Sequence, residues 1–121
     1  MTMEIVLAGD HAFTPGQEIA GHLGWHLPHA PRWLELRLFW YTEGKGTQDV
    51  GVIARERLAA PAASGTQPFR FTAPAQPPSC SGRLVSIRWA LELVGDEHQP
   101  VSRVELVIAP GGREILLGSV P

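Results

Sequence analysis

The sequence predicts an all-β fold, a two-sheet antiparallel β-sandwich of immunoglobulin-like type with about seven or eight strands. Gly and Pro interrupt the chain about every ten residues, and the segments between them alternate apolar and polar residues, as strands require. At 121 residues the chain is long enough to bury one core, so we expect residues 1–121 to form a single domain. A closed barrel is the competing architecture.

The first two strands are predicted near the start of the chain. Segment 3–9, MEIVLAG, is short and apolar, and segment 18–27, EIAGHLGWHL, alternates more clearly. In the second segment Ile19, Leu23 and Trp25 share the face that a core would cover. The opposite face carries histidines.

The long segment 32–43, RWLELRLFWYTE, is the clearest strand, because its leucines fall on one face and Glu35 and Arg37 on the other. The segment 48–60 after it is ambiguous. Its valines alternate as in a strand, but Val50, Ile53 and Leu58 also fit one face of a helix. We predict a strand, because its surroundings are β, and Gly44 and Gly46 are typical of a hairpin turn before it.

The stretch 68–93 contains two strands joined by a segment rich in proline. Pro77 and Pro78 cannot donate to a sheet ladder, so this segment is interpreted as a crossing between sheets and not as a catalytic loop. Cys80 lies within it, without a base that would activate a thiol. The strand that follows has inward-facing positions at Val85, Ile87, Trp89, Leu91 and Leu93. Two further strands are predicted at 103–109 and 113–120.

Composition and charge exclude several classes of partner. A net charge of -2 with only 10 Lys plus Arg argues against nucleic-acid binding. No run approaches the roughly 18 apolar residues of a membrane span, and the N-terminus lacks the features of a signal peptide, so we expect no membrane insertion and a cytoplasmic protein. The single cysteine is consistent with that compartment. Abundant Ala, Pro, Gly and Arg are typical of bacterial proteins from GC-rich genomes.

Three blocks of the sequence resemble the arrestin fold family. The first, TPGQEIAGHLGW, has a Pro-Gly pair and an acidic residue before a strand with a central glycine. The second is the strand and glycine hairpin LELRLFWYTEGKG, and the third is FRFTAPAQPPSCSGRLVSIRWALEL. The third block contains an aromatic pair, a Pro-Ser pair, a glycine and a long strand with a central aromatic residue: Phe69, Phe71, Pro78, Ser79, Gly82 and Trp89.

The resemblance implies a sandwich used as a scaffold or adaptor without catalysis or a cofactor. Arrestins and the retromer subunit of the same fold have two such sandwiches in tandem, whereas this chain has room for one. It also shows no counterpart of the phosphate-sensing polar core of arrestins. Binding to phosphorylated receptors is therefore not implied.

The candidate binding residues are three aromatic side chains on the strand at 32–43. If the leucines face the core, Trp33, Phe39 and Tyr41 point outward together, which is typical of a binding surface or of a surface covered by another segment. We therefore expect a non-catalytic protein-interaction module that binds a partner protein or self-associates into a homo-oligomer. The alternative from another class is a sandwich that binds a carbohydrate or another small molecule through these aromatics.

Histidines suggest a third, less favoured function, a metal-binding protein. His22, His26 and His29 are close in the sequence HLGWHLPH. In a strand, however, His22 and His26 lie about 13 Å apart, too far to share one metal without a bulge or another strand. Exposed histidines without a metal are the alternative interpretation.

Overall fold

The computed structural model describes residues 2–44, 46, 48–82, 85–96 and 101–116. Within these ranges the chain forms ten strands and one turn of 3-10 helix at Pro110–Gly112. The strands are β1 (Thr2–Leu7), β2 (Ala12–Phe13), β3 (Glu18–His26), β4 (Trp33–Gly44), β5 (Val50–Ala59), β6 (Ser64–Thr72), β7 (Cys80–Ser81), β8 (Val85–Gly95), β9 (Ser102–Ile108) and β10 (Ile115–Leu116).

The strands form two packed sheets. The smaller sheet has the antiparallel order β1-β3-β6, and the larger has the order β10-β7-β8-β4-β5. Strand β9 also pairs with β8, and β2 pairs with β9. The long pairings are antiparallel, and among the described residues only the two-residue pairings β2–β9 and β10–β7 are parallel. The all-β, two-sheet sandwich predicted from the sequence is therefore confirmed.

The core lies between the two sheets and is apolar. Its centre is Trp89, which is fully buried and lies opposite Trp40 in the register of β4 and β8. The inner side chains of both sheets surround it, and the largest of those with no more than 1% exposure are Ile19, Leu23, Leu34, Leu36, Leu38, Leu91, Leu93 and Ile108. Burial of this apolar surface is the main favourable term that holds the two sheets together.

All eight predicted strand segments contain a strand within the described residues; in the last, 113–120, positions 117–120 lie outside them. Segment 48–60 forms β5 and not a helix, and a hairpin at Gly44 and Gly46, both with positive φ, leads into it. The two-residue strands β2 and β7 were not predicted, because so short a pairing leaves no periodic pattern in the sequence. Within the described residues, no helix has the length and apolar character needed to cross a bilayer.

The proline-rich segment after β6 crosses from the smaller sheet to the larger one, as predicted. Two hydrogen bonds that involve side chains attach it to the larger sheet: the indole Nε1 of Trp89 donates to the carbonyl of Pro77 at 2.7 Å, and Ser79 Oγ accepts from the amide of Ile108 at 2.9 Å. The backbone of Ser79 adds bonds to Ile108 and Ile115. The hydroxyl of Ser79 thus makes a long-range bond to β9. Cys80 is a free, buried thiol in this segment.

Two strands depart from the predicted division into inner and outer faces. Val85 was expected in the core but is exposed; it is the first residue of β8 and lies opposite Gly44, the last residue of β4. On β4, Glu35 and Phe39 point away from the core as predicted, yet both are buried. The register of β4 and β5 shifts between Leu38 and Phe39, which is typical of a β-bulge.

Candidate interaction surface

The candidate aromatics lie on the outer face, by which we mean the side of the larger sheet turned away from the smaller sheet. Trp33, Phe39 and Tyr41 occupy alternate positions of β4 and so share this face. They do not form one continuous aromatic patch. Trp33 is at one end of β4, and Phe39 and Tyr41 form a pair toward the other end, with ring centroids 5.9 Å apart.

Arg103 of β9 covers the Phe39–Tyr41 pair. Its guanidinium carbon lies 5.1 Å from the centroid of Phe39 and 5.4 Å from that of Tyr41, within the range of cation–π contacts. Phe39 is only 4% exposed, so of the two possibilities that the sequence left open, an exposed ring or a covered one, the structure shows the covered one. The sequence interpretation allowed for a loop or strand as cover, whereas the cover observed includes a charged side chain.

Tyr41 is held by Glu105 of the same strand, β9. Its hydroxyl donates to both carboxylate oxygens, at 2.8 and 3.0 Å. Partial burial, the hydrogen bond to Glu105 and the negative charges of Glu105 and Glu43 raise the pKa of Tyr41 to about 12. The phenol is therefore neutral at physiological pH and acts as a hydrogen-bond donor.

A charged cluster separates Trp33 from Phe39. The carboxylate of Glu35 is ion-paired with Arg37 at 2.5 Å and with Arg57 at 3.4 Å, and Arg57 also stacks over Trp33 at 4.4 Å. Burial alone raises the pKa of Glu35, but the hydrogen bond from Arg37 and the charges of Arg37, Arg57 and Arg55 outweigh it, so the pKa is lowered overall. Three arginines thus surround one buried carboxylate.

Strand β5 carries three exposed apolar side chains beside the Phe39–Tyr41 pair. Val50 is 63% exposed, Ile53 50% and Val52 37%. Val50 and Val52 lie opposite Tyr41 and Phe39 in the register, so they extend the covered aromatic pair toward the edge of the sheet. Among the described residues β5 pairs with β4 alone, and its other side is an open sheet edge.

An open groove of about 420 Å³ adjoins Tyr41 at the place where β9 leaves β8 and β7 begins. Its polar lining includes Tyr41, Glu105 and Arg88, and Arg88 is ion-paired with Glu43 at 3.1 Å and Glu114 at 3.7 Å. The hydrogen bond to Glu43 and the nearby acidic charges raise the pKa of Arg88. Because these ionic groups already satisfy one another, the groove presents few free polar groups to a ligand.

The three histidines are not brought together. His22 and His26 lie on the solvent side of β3, four residues apart on one continuous strand, and His26 Nδ1 is hydrogen-bonded to Ser64 Oγ at 2.6 Å. His29 is exposed in the turn after β3. In the ranges that the structure describes, no three His, Cys, Asp or Glu side chains are close enough to hold one metal ion. The geometry therefore does not favour the metal-binding alternative.

The sequence interpretation missed the side chains that complete this surface, namely Arg57, Arg103 and Glu105. Each lies on a strand that the sequence predicted, on the polar face of that strand. The sequence does not reveal the order of strands in the larger sheet, which places β5 directly beside β4 and β9 on the far side of β8 from β4. The alternating pattern can indicate which face a residue occupies but not its neighbour across the sheet.

Comparison with known proteins identifies the fold but not the family. No family model matches the chain, and no curated protein matches its sequence. The fold is similar to that of Spo0M, the sporulation control protein from Bacillus subtilis, with a TM-score of 0.60 and 18% identity over 88% of this chain. The match covers 48% of Spo0M, so the chain spans about half the length of that protein. Spo0M supports an arrestin-like sandwich fold for this chain.

A second structure, the superoxide reductase (neelaredoxin) from Ignicoccus hospitalis, matches with a TM-score of 0.48 and 14% identity. That match covers 89% of this chain and 80% of the reductase.

Proposed function

We propose that this chain is a non-catalytic protein-interaction module built on an arrestin-like β-sandwich. The observation that carries the proposal is the open edge of the larger sheet at β5, where Val50, Val52 and Ile53 are exposed beside the covered pair Phe39 and Tyr41. Apolar side chains along an open sheet edge are typical of a surface that another protein covers. The likeness in fold to a sporulation control protein is compatible with a regulatory role of this kind.

The outer face favours a protein partner over a carbohydrate. Sugar binding through aromatics needs an exposed ring, but Phe39 is buried under Arg103, and Arg57 stacks over Trp33. Arginine and aromatic residues, which are in contact here, are both enriched in protein interfaces. The ion pairs of Glu35 and Arg88 also leave few free groups to orient a small ligand.

The test is site-specific photo-crosslinking in the organism that encodes the chain. A photoreactive amino acid replaces Val52 in one variant and Thr66, an exposed residue of β6 in the smaller sheet, in the matched control. We expect a discrete crosslinked protein from position 52 and none from position 66. Light scattering at several protein concentrations then separates a foreign partner from a second copy of this chain. The same weak products from both positions, or none from either, would contradict the proposal.

A further inference from the structure

We infer that β5 binds an acidic, extended segment of the partner protein, which adds to the larger sheet as a new antiparallel strand beside β5. The inference rests on the proposed function and names the partner chemistry and the binding mode. Three features carry it: an edge free of proline, a division of β5 into an apolar half and a basic half, and an excess of positive charge around Glu35.

The open edge of β5 has the features that the addition of another strand requires. Strand β5 is ten residues long, contains no proline, and among the described residues pairs on one side only. Alternate backbone amides and carbonyls of such a strand point away from its neighbour and can bond an added strand. The edge strand β6 of the smaller sheet differs, because Pro68 lies in its middle opposite His22 and removes a donor.

The outer-face side chains of β5 divide the strand into an apolar half and a basic half. The apolar half contains Val50 and Val52. The basic half contains Arg55 and Arg57, which lie opposite Arg37 and Glu35 of β4. An added antiparallel strand runs in the opposite direction and so meets the basic half of β5 first. A complementary strand therefore has acidic residues at alternate positions in its first half and apolar residues at alternate positions in its second half. Cross-strand pairs of opposite charge and of apolar residues both stabilise a sheet.

Local charge selects the acidic partner. Arg37, Arg55 and Arg57 share the outer face, and the carboxylate of Glu35 is already ion-paired with Arg37 and Arg57. The next carboxylate, that of Glu92 opposite Arg37 on β8, is ion-paired with Arg103, so positive charge still exceeds negative charge beside β5. An acidic strand beside β5 would relieve this excess of positive charge. A second copy of β5 would do the opposite, because antiparallel pairing centred on the basic half places arginines of the two copies next to each other. In that register the edge is unfavourable for self-pairing, whereas it is complementary to a foreign acidic strand.

The closing experiment uses the full chain and a synthetic peptide of about ten residues, the length of a typical strand plus its ends. Its first half alternates Glu with Thr, and its second half alternates Val with Thr. The second probe has Lys in place of Glu. Binding is measured by fluorescence anisotropy at low ionic strength, where exposed charges are least screened.

We expect the acidic peptide to bind the wild-type chain and the basic peptide not to bind. The substitution Arg55→Glu should weaken binding of the acidic peptide about tenfold and should allow the basic peptide to bind. The matched control is Arg70→Glu, which makes the same charge change at an exposed position of the smaller sheet. Equal weakening by the control, or none by Arg55→Glu, would overturn the inference.

Hydrogen exchange tests the binding mode independently of charge. The acidic peptide should slow the exchange of amides within Val50–Ala59, and protection confined to another strand would overturn the inference. If position 52 crosslinks a protein partner in cells but neither peptide binds, the acidic-strand inference fails and the interaction module stands. If the crosslinking and the peptides both fail, both proposals are wrong.

Discussion

The hydroxyl of Tyr41 on β4 donates to both carboxylate oxygens of Glu105 on β9, although β8 lies between these two strands. The bond therefore spans the full width of three neighbouring strands on the outer face. It holds the phenol beside the guanidinium of Arg103. The bond and the guanidinium together hold the Tyr41 ring in place opposite Val50 of β5.

The titration of Tyr41 tests its hydrogen bond to Glu105 directly. Tyr41 is the single tyrosine of the chain, so tyrosinate absorbance reports on it alone. In the folded protein we expect a pKa of about 12, compared with the ordinary value of 10.0. The substitution Glu105→Gln should move the pKa toward the ordinary value, because it removes the negative charge that opposes ionisation. Glu18→Gln on the smaller sheet is the control and should leave the midpoint unchanged.

The same shift predicts how alkali affects stability. Because the folded pKa of Tyr41 is raised, its contribution to stability is present below pH 10.0 and is lost as the pH rises toward about 12. Urea unfolding across this range should show a smaller loss in Glu105→Gln than in the wild type. Parallel losses in the two proteins would contradict the assigned role of Glu105.

The buried carboxylate of Glu35 should contribute more to stability than an exposed one. Glu35→Gln removes the charge that pairs with Arg37 and Arg57, so we expect the free energy of unfolding at neutral pH to fall by about 1–2 kcal/mol. The control Glu18→Gln removes an exposed ion pair with Arg70 and should cost at most about 0.5 kcal/mol. Urea unfolding measures both changes.

The contribution of Glu35 to the free energy of unfolding decreases at acidic pH. The pKa of Glu35 lies below its ordinary value of 4.5 in the folded chain, so the ionised form stabilises the fold. This stability is present above about pH 4.5 and is lost as the pH falls toward the folded pKa. Glu35→Gln should therefore lose less stability than the wild type on acidification. If both proteins lose the same free energy of unfolding on acidification, the ion pairs of Glu35 do not stabilise its ionised form in the folded chain.

The sequence predicted the sandwich well because its strands carry strong local signals. Alternation placed Leu34, Leu36 and Leu38 in the core, and the glycines before β5 correctly indicated a hairpin. The prolines at 77 and 78 cannot belong to a central ladder, and this simple chemical limit correctly predicted the crossing between sheets.

The candidate surface was harder to predict because it depends on contacts between strands distant in the sequence. The outward position of Phe39 follows from alternation, but its burial depends on Arg103, which reaches it from β9. Glu35 was assigned to a polar outer face, yet it is buried there and ion-paired with Arg37 of its own strand and Arg57 of β5. No pattern within β4 contains this information, because it arises only when the strand order is fixed.

A buried hydrogen bond at Ser79 should stabilise the crossing segment. Ser79→Ala leaves the amide of Ile108 without its side-chain acceptor in a buried position, so we expect a loss of about 1–3 kcal/mol in the free energy of unfolding. The control is Ser81→Ala, two residues further along and less buried, which should cost less than half as much. Equal effects of the two substitutions in urea unfolding would show that the Oγ–amide bond is not the cause.

The indole of Trp89 anchors the crossing segment from the core side, and the thiol of Cys80 can report on this anchor. Trp89→Phe removes the bond from Nε1 to the carbonyl of Pro77 and leaves a cavity at a fully buried position, so we expect a loss of about 2–4 kcal/mol. Cys80 is buried in the segment and is the single thiol of the chain, so a thiol reagent should modify it faster in this variant. Trp33→Phe, at a half-buried outer position, is the control and should leave the rate unchanged. A rate in Trp89→Phe equal to that of the wild type, in protein shown to be folded by circular dichroism, would mean that other contacts hold the segment in place.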